Sequence, residues 1–131
     1  MKRAFFLDRD GVINKNCPGY VRKPEQFELI PGVAKAIKMI NESGWLVVVV
    51  TNQSMVAQGL ASIEDLEAIH KRMEKLLEEA GASLDGIYYC PHPKPGGCGC
   101  RKPEPGMLFQ AAEDFDIDVS VSYTHLRAHE T

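Results

Sequence analysis

The sequence predicts a doubly wound α/β domain on a parallel sheet, and three observations carry that prediction. Short apolar runs at residues 3–7, 46–50 and 87–89 alternate with helical patterns at about residues 32–43, 62–80 and 107–115. The middle run, Leu46-Val47-Val48-Val49-Val50, is continuous rather than alternating, as a strand covered on both faces requires. Polar residues collect where the first two runs end: Asp8 and Asp10 after the first, Thr51 to Ser54 after the second. That edge is where parallel sheets carry their ligands.

Each element has its own local cause. Residues 14–29, with Pro18, Gly19 and Pro24, read as a loop followed by a short extended segment. Pro31-Gly32 opens a helix whose Val33, Ala36, Ile37 and Ile40 share one face, and Gly44 ends it. A loop over residues 51–61 leads to Ser62, which with Asp65 makes a capping box, Asp standing in for the usual Glu or Gln. The next helix carries Ile63, Leu66, Ile69, Met73, Leu76, Leu77 and Ala80 on a stripe that reads as core packing, and Gly81 closes it. A Pro/Gly/Cys-rich loop over residues 91–105 separates the third strand from the last helix.

A chain of 131 residues is about one domain. It is 44% apolar and 25% charged, with a net charge of −3 and no long run of either sign. Nothing here argues for a nucleic-acid or membrane partner. Acidity does not exclude a phosphorylated ligand, since local groups and a metal decide that. Met1-Lys2-Arg3 leads through four residues into Asp8, which is no export signal, and residues 45–50 are too few to span a bilayer. A cytoplasmic protein is expected, so three of the four cysteines, clustered beside a histidine, fit metal ligation better than disulfides.

The chemistry concentrates in Asp8-Arg9-Asp10-Gly11-Val12-Ile13. Two acids one residue apart on a rigid strand end can hold separate roles: Asp8 attacks, Asp10 moves a proton, and a magnesium ion between them offsets the charge of a phosphate. Gly11 allows a sharp turn that brings backbone N–H groups near phosphate oxygens. In a parallel sheet Thr51 falls beside Asp8, where a hydroxyl and following N–H groups bind a transferring phosphoryl group. Cys90-x-His92-x5-Cys98-x-Cys100 is a closed three-thiolate, one-imidazole set suited to structural zinc, while Cys17 stands apart as a loop residue. Arg101-Lys102 follows that loop, which places Lys102 to balance Asp8 and phosphate.

Together Asp8-x-Asp10-Gly-Val, Thr51-Asn52-Gln53-Ser54, Ile87-Tyr-Tyr-Cys-Pro-His and Arg101-Lys-Pro-x-Pro-Gly-Met resemble the haloacid dehalogenase (HAD) superfamily of phosphatases. The likeness runs over residues 4–119 and is strongest to the branch acting on heptose bisphosphate, with histidinol phosphate as the rival substrate. It implies a Rossmann-like HAD fold with a zinc loop in place of a large cap domain. It implies that Asp8 becomes an aspartyl-phosphate, that Asp10 is general acid and then base, and that the Asp8 side chain and Asp10 carbonyl bind Mg2+. Thr51, Arg101 and Lys102 would stabilise the phosphoryl group. Asn16, Gly19, Tyr20, Asn52, Gln53 and Ser54, with Arg101 and Lys102, would contact substrate. The implied role is removal of the 7-phosphate on the route to nucleotide-heptose and lipopolysaccharide core, by a cytoplasmic monomer.

Three departures qualify the likeness. Met55 and Gln58 stand where the family usually has glycine and arginine. After residue 119 the family continues into a fourth strand ending in Gly-Asp-x-x-x-Asp, which supplies a further magnesium carboxylate. This chain instead has Val121-Ser-Tyr-Thr-His-Leu-Arg-Ala-His-Glu-Thr131, which matches one reading frame of a common transposase sequencing adapter. The expectation is therefore a truncated phosphatase domain at residues 1–119 and a non-native tail at 120–131 that takes no part in the fold. Part of the sheet would be missing, the first or third strand would be an unpaired edge, and the chain would aggregate readily with little or no turnover. Two other classes compete. A phospho-accepting receiver module is disfavoured because its acid pair precedes the accepting strand and it has no Cys/His loop. A zinc-stabilised, non-catalytic fragment would retain zinc with no activity.

Overall fold

A computed structural model gives the structure of the protein and describes residues 2–91, 106–118 and 123–126. Strand β1 (Ala4–Leu7) leads through a long loop to helix α1 (Val33–Glu42) and strand β2 (Leu46–Asn52). Helix α2 (Ile63–Glu79), strand β3 (Gly86–Cys90), helix α3 (Gly106–Phe115) and strand β4 (Tyr123–Leu126) follow. The strands form one parallel sheet in the order β3-β2-β1-β4. Among the described residues, the β1–α1 and β2–α2 connections carry only loops and one 3-10 turn.

The unbroken valine run of β2 is explained by burial on both faces. Val47 and Val49 join Leu7, Ile37, Leu66, Ile69, Met73 and Leu77 in a core with α1 and α2. Val48 and Val50 join Ala4, Phe6, Cys90, Met107, Ala111 and Ile117 in a second core with α3. Alternate side chains of a strand point to opposite faces, so one continuous apolar run serves two layers. The capping box is formed: Ser62 Oγ accepts the Asp65 N–H at 3.1 Å, and Asp65 Oδ2 accepts the Ser62 N–H at 3.0 Å.

The structure departs from the sequence reading in three places. Strand β2 continues through Thr51 and Asn52, which pair with Tyr89 and Cys90, so these residues are strand and not loop. Thr is β-branched and the β3 edge offers partners to both residues. The loop before Leu29 contains an unanticipated 3-10 turn at Pro24–Gln26, where proline presets the helical φ, while the short extended stretch expected after it is present, with Leu29 bridged antiparallel to Asn14. Finally, part of the tail expected to lie outside the fold forms β4 against β1, with Phe5 opposite Tyr123 and Leu7 opposite Leu126 across a register shift. β1 is therefore not an edge, whereas β3 is. An open strand edge offers N–H and C=O groups to any nearby extended segment, and Tyr123-Thr124-His125-Leu126 takes that place.

Candidate active site

The loop after β1 is wound around one carbonyl. Arg9 O accepts N–H groups from Val12, Ile13 and Asn14 at 3.1, 2.8 and 3.2 Å, while the Gly11 N–H returns to Asn14 O at 2.8 Å. Gly11 sits at φ +85, a conformation that side chains with a Cβ rarely adopt. This tight coil holds Asp8 and Asp10 at the C-terminal end of β1, both half-buried. The Asp8 carboxylate accepts the Arg9 backbone N–H at 2.9 Å.

Asp10 is held from three directions. Its Oδ1 accepts from Arg9 Nε at 3.1 Å, Arg9 Nη2 at 2.9 Å and Asn14 Nδ2 at 3.0 Å. Its Oδ2 accepts from Gln53 Nε2 at 3.0 Å. Burial alone would raise the Asp10 pKa, but the Arg9 charge and the hydrogen bonds from Asn14, Arg9 and Gln53 hold it below the usual carboxylate value. The carboxyl is thus an anion in the ligand-free site.

The end of β2 meets this group as strand order predicts. Thr51 is buried, and its Oγ1 accepts from Gln53 Nε2 at 2.9 Å, so a single amide nitrogen joins Thr51 to Asp10. The Gln53 backbone N–H donates to Cys90 O at 2.8 Å, which ties the same turn to β3. Beside the carboxylates lies a cavity of about 460 Å³ lined by Asp10, Asn16, Cys17, Gly19, Tyr20 and Val21. Tyr20 adopts φ +75, and its hydroxyl accepts from Gln58 Nε2 at 3.1 Å. The same nitrogen is 3.3 Å from Ser54 Oγ, so Gln58 links the loop after β2 to Tyr20 of the cavity wall. Met55 is fully buried in the core.

Two carboxylates at a strand end form a hard, all-oxygen donor pair, the type a magnesium ion takes. Of the expected zinc ligands, Cys90 is buried, while His92, Cys98 and Cys100 lie outside the described residues. Arg101 and Lys102 also lie outside them. Among the described residues there is no cluster of three or more His, Cys, Asp or Glu that could hold a metal.

This geometry has counterparts in known proteins. A family model described as polynucleotide kinase 3 phosphatase matches residues 3–126. The D-glycero-β-D-manno-heptose-1,7-bisphosphate 7-phosphatase of Pasteurella multocida is 43% identical over 129 residues, covering 94% of this chain and 70% of the relative. The chain belongs to the HAD-type phosphatases. The Haemophilus ducreyi phosphatase of the same name is 46% identical, with 93% of this chain and 70% of the relative covered. The solved D,D-heptose 1,7-bisphosphate phosphatase of B. bronchiseptica, complexed with magnesium and phosphate, matches with a TM-score of 0.83 at 40% identity. That match covers 88% of this chain and 65% of the solved one. This HAD-type domain spans about two thirds of the length of the relatives it matches.

Sequence reasoning missed three residues of this HAD-type site. Arg9 has no role in the Asp-x-Asp reading, yet it is fully buried. Asn14 is fully buried and braces Asp10. His70 is buried on α2, with its Nε2 3.1 Å from Arg9 Nη1. One signal for His70 was present: it falls within the apolar stripe that includes Leu66, Ile69, Met73 and Leu77.

Proposed function

We propose that this chain is the phosphoryl-transfer core of a magnesium-dependent phosphatase that removes the 7-phosphate of D-glycero-D-manno-heptose 1,7-bisphosphate. The observation that carries the reading is the placement of Asp8 and Asp10 at the end of β1, with Gln53 tying Asp10 to Thr51 at the end of β2. An Asp8 carboxylate oxygen attacks phosphorus in line and the bond from phosphorus to the sugar oxygen breaks. Asp10 gives its proton to that departing oxygen. Water then attacks the phosphorus of the acyl phosphate and leaves its proton on Asp10, releasing phosphate and restoring the Asp8 carboxylate. A bound phosphate dianion beside Asp10 raises its pKa, which favours the protonated form the first step needs.

Magnesium held by Asp8 and the Asp10 carbonyl would supply charge neutralisation for the phosphate oxygens. Thr51, Arg101 and Lys102 would bind those oxygens too. Asn16, Gly19, Tyr20, Asn52, Gln53 and Ser54 would contact the sugar phosphate. Cys90, His92, Cys98 and Cys100 would hold structural zinc. The setting is cytoplasmic heptose metabolism towards the lipopolysaccharide core, and the enzyme acts as a monomer. Residues 120–131 are read as a non-native tail.

Phosphate release from heptose bisphosphate and from histidinol phosphate, with magnesium, tests this reading. The heptose substrate should be preferred, and Asp8→Asn should abolish release. Turnover retained in Asp8→Asn would sink the proposal.

A further inference from the structure

Arg9 is a fully buried arginine whose guanidinium is used on both sides. Nε and Nη2 hold Asp10 Oδ1, while Nη1 meets His70 Nε2 at 3.1 Å. Arginine has donors only, so His70 Nε2 must accept, which fixes the imidazole as the neutral tautomer protonated on Nδ1. Burial and the neighbouring Arg9 charge both favour that neutral form, and push the His70 pKa down to about 3. The helix α2 is thereby connected to the catalytic loop through one histidine.

The division of bonds on Asp10 has a consequence. Oδ1 accepts three N–H groups, which occupies its lone pairs. Among the described residues Oδ2 accepts only from Gln53 Nε2, whose other hydrogen is directed at Thr51 Oγ1. A proton on Oδ1 would displace a bond from a buried cation, whereas a proton on the second lone pair of Oδ2 leaves all four of these bonds in place.

We propose that His70 and Arg9 are positioning residues that lock Asp10 through Oδ1 and so dedicate Oδ2 to proton transfer. This rests on the reading of Asp10 as the acid and base. His70 touches no reacting atom. It orients Arg9, and Arg9 orients the carboxyl plane.

The test compares the chain with His70→Leu, which removes the acceptor, and His70→Gln, which restores one. Each is assayed with magnesium on heptose bisphosphate, whose sugar oxygen needs protonation to leave, and on p-nitrophenyl phosphate, whose phenolate does not. His70→Leu should lower kcat on the sugar phosphate about tenfold more than on p-nitrophenyl phosphate, with KM little changed, and His70→Gln should recover most of the loss. Equal losses on both substrates would show a merely structural role and overturn the proposal. Asp10→Asn separates the two ideas, because its full retention of sugar-phosphate turnover removes the acid–base reading itself. Independently of turnover, NMR of the 15N-labelled chain reads the Arg9 Nε–H and the Gln53 side-chain amide. Both should move in His70→Leu and stay near their original positions in His70→Gln. Unmoved signals in His70→Leu, or failure of both variants to fold, would also overturn it.

Discussion

Gln53 Nε2 lies 3.0 Å from Asp10 Oδ2, so a residue on the turn after β2 holds the second acid of the loop after β1. Gln53 is 1% exposed, and its amide also bonds Thr51 Oγ1. Gln53→Leu keeps most of the volume but removes both donors. It should cost about 1–3 kcal/mol of folding stability, since the buried Thr51 hydroxyl loses a partner. Urea unfolding followed by circular dichroism measures this. A Gln53→Leu midpoint equal to the unsubstituted chain would show that water replaces the amide without loss.

His70 gives a pH dependence with a definite sign. Its folded pKa is depressed from 6.5 to about 3, because of burial first and the Arg9 charge second, with Asp10 opposing. Tyr89 also faces the ring, at a centroid distance of 5.8 Å. Between these two values the unfolded chain binds a proton that the folded chain does not. Stability from this site is therefore complete above pH 6.5 and falls as pH drops towards 3. Over pH 7 to 4.5 the loss should be on the order of 2–3 kcal/mol, and His70→Gln should remove that slope. Asp10 also has a lowered pKa, but its loss begins only below the ordinary carboxylate value of 3.8, so the windows separate. Denaturant midpoints of the two proteins across this range decide it, and parallel slopes would reject it.

Two glycines separate steric from conformational constraint. A Cβ on Gly86 would lie 2.9 Å from Phe115 Cε2, so Gly86→Ala forces β3 and α3 apart. A loss of about 1–3 kcal/mol is expected, as for other overpacked sites. At Gly11 the nearest atom to a new Cβ is Asn16 Nδ2, at 3.2 Å, and φ is +85. Gly11→Ala should cost about 1–2 kcal/mol through backbone strain and should displace Asn16 from the cavity wall. Thermal unfolding measures both costs, and phosphate binding by calorimetry should be weakened only in Gly11→Ala.

Much of this architecture was legible because burial writes periodicity into sequence. The continuous valines of β2 announced two covered faces, and Ser62 with Asp65 announced the start of α2. The acids of β1 and the polar turn after β2 were found from position alone. Arg9 and His70 were not found, because a buried cation is defined by partners distant in sequence: residues 9 and 70 meet only once α2 lies across the sheet. The extension of β2 through Asn52 was missed for the same reason, since β3 supplies the partners. Gln58 stands out in the sequence only as a position where the family has arginine, yet it bonds both Tyr20 and Ser54.

The tail provides the last test. Tyr123–Leu126 pairs with β1 in parallel, but the register shifts between Phe5 and Leu7, unlike the regular four-residue register of β1 on β2. A segment selected to close this sheet would keep register along the strand, because each step fixes which face its side chains take. An opportunistic partner satisfies backbone groups first and need not keep register. Removing residues 120–131 should therefore leave the β1–β2–β3 sheet folded while exposing the β1 groups that face β4. Hydrogen exchange should then quicken in β1 and not in β3, and aggregation at equal concentration should rise as the open edge recruits other chains. Unchanged β1 exchange would mean that the tail gives β1 no protection in solution. Global unfolding on its removal would mean that residues 120–131 are integral to the domain and would refute their reading as a non-native extension.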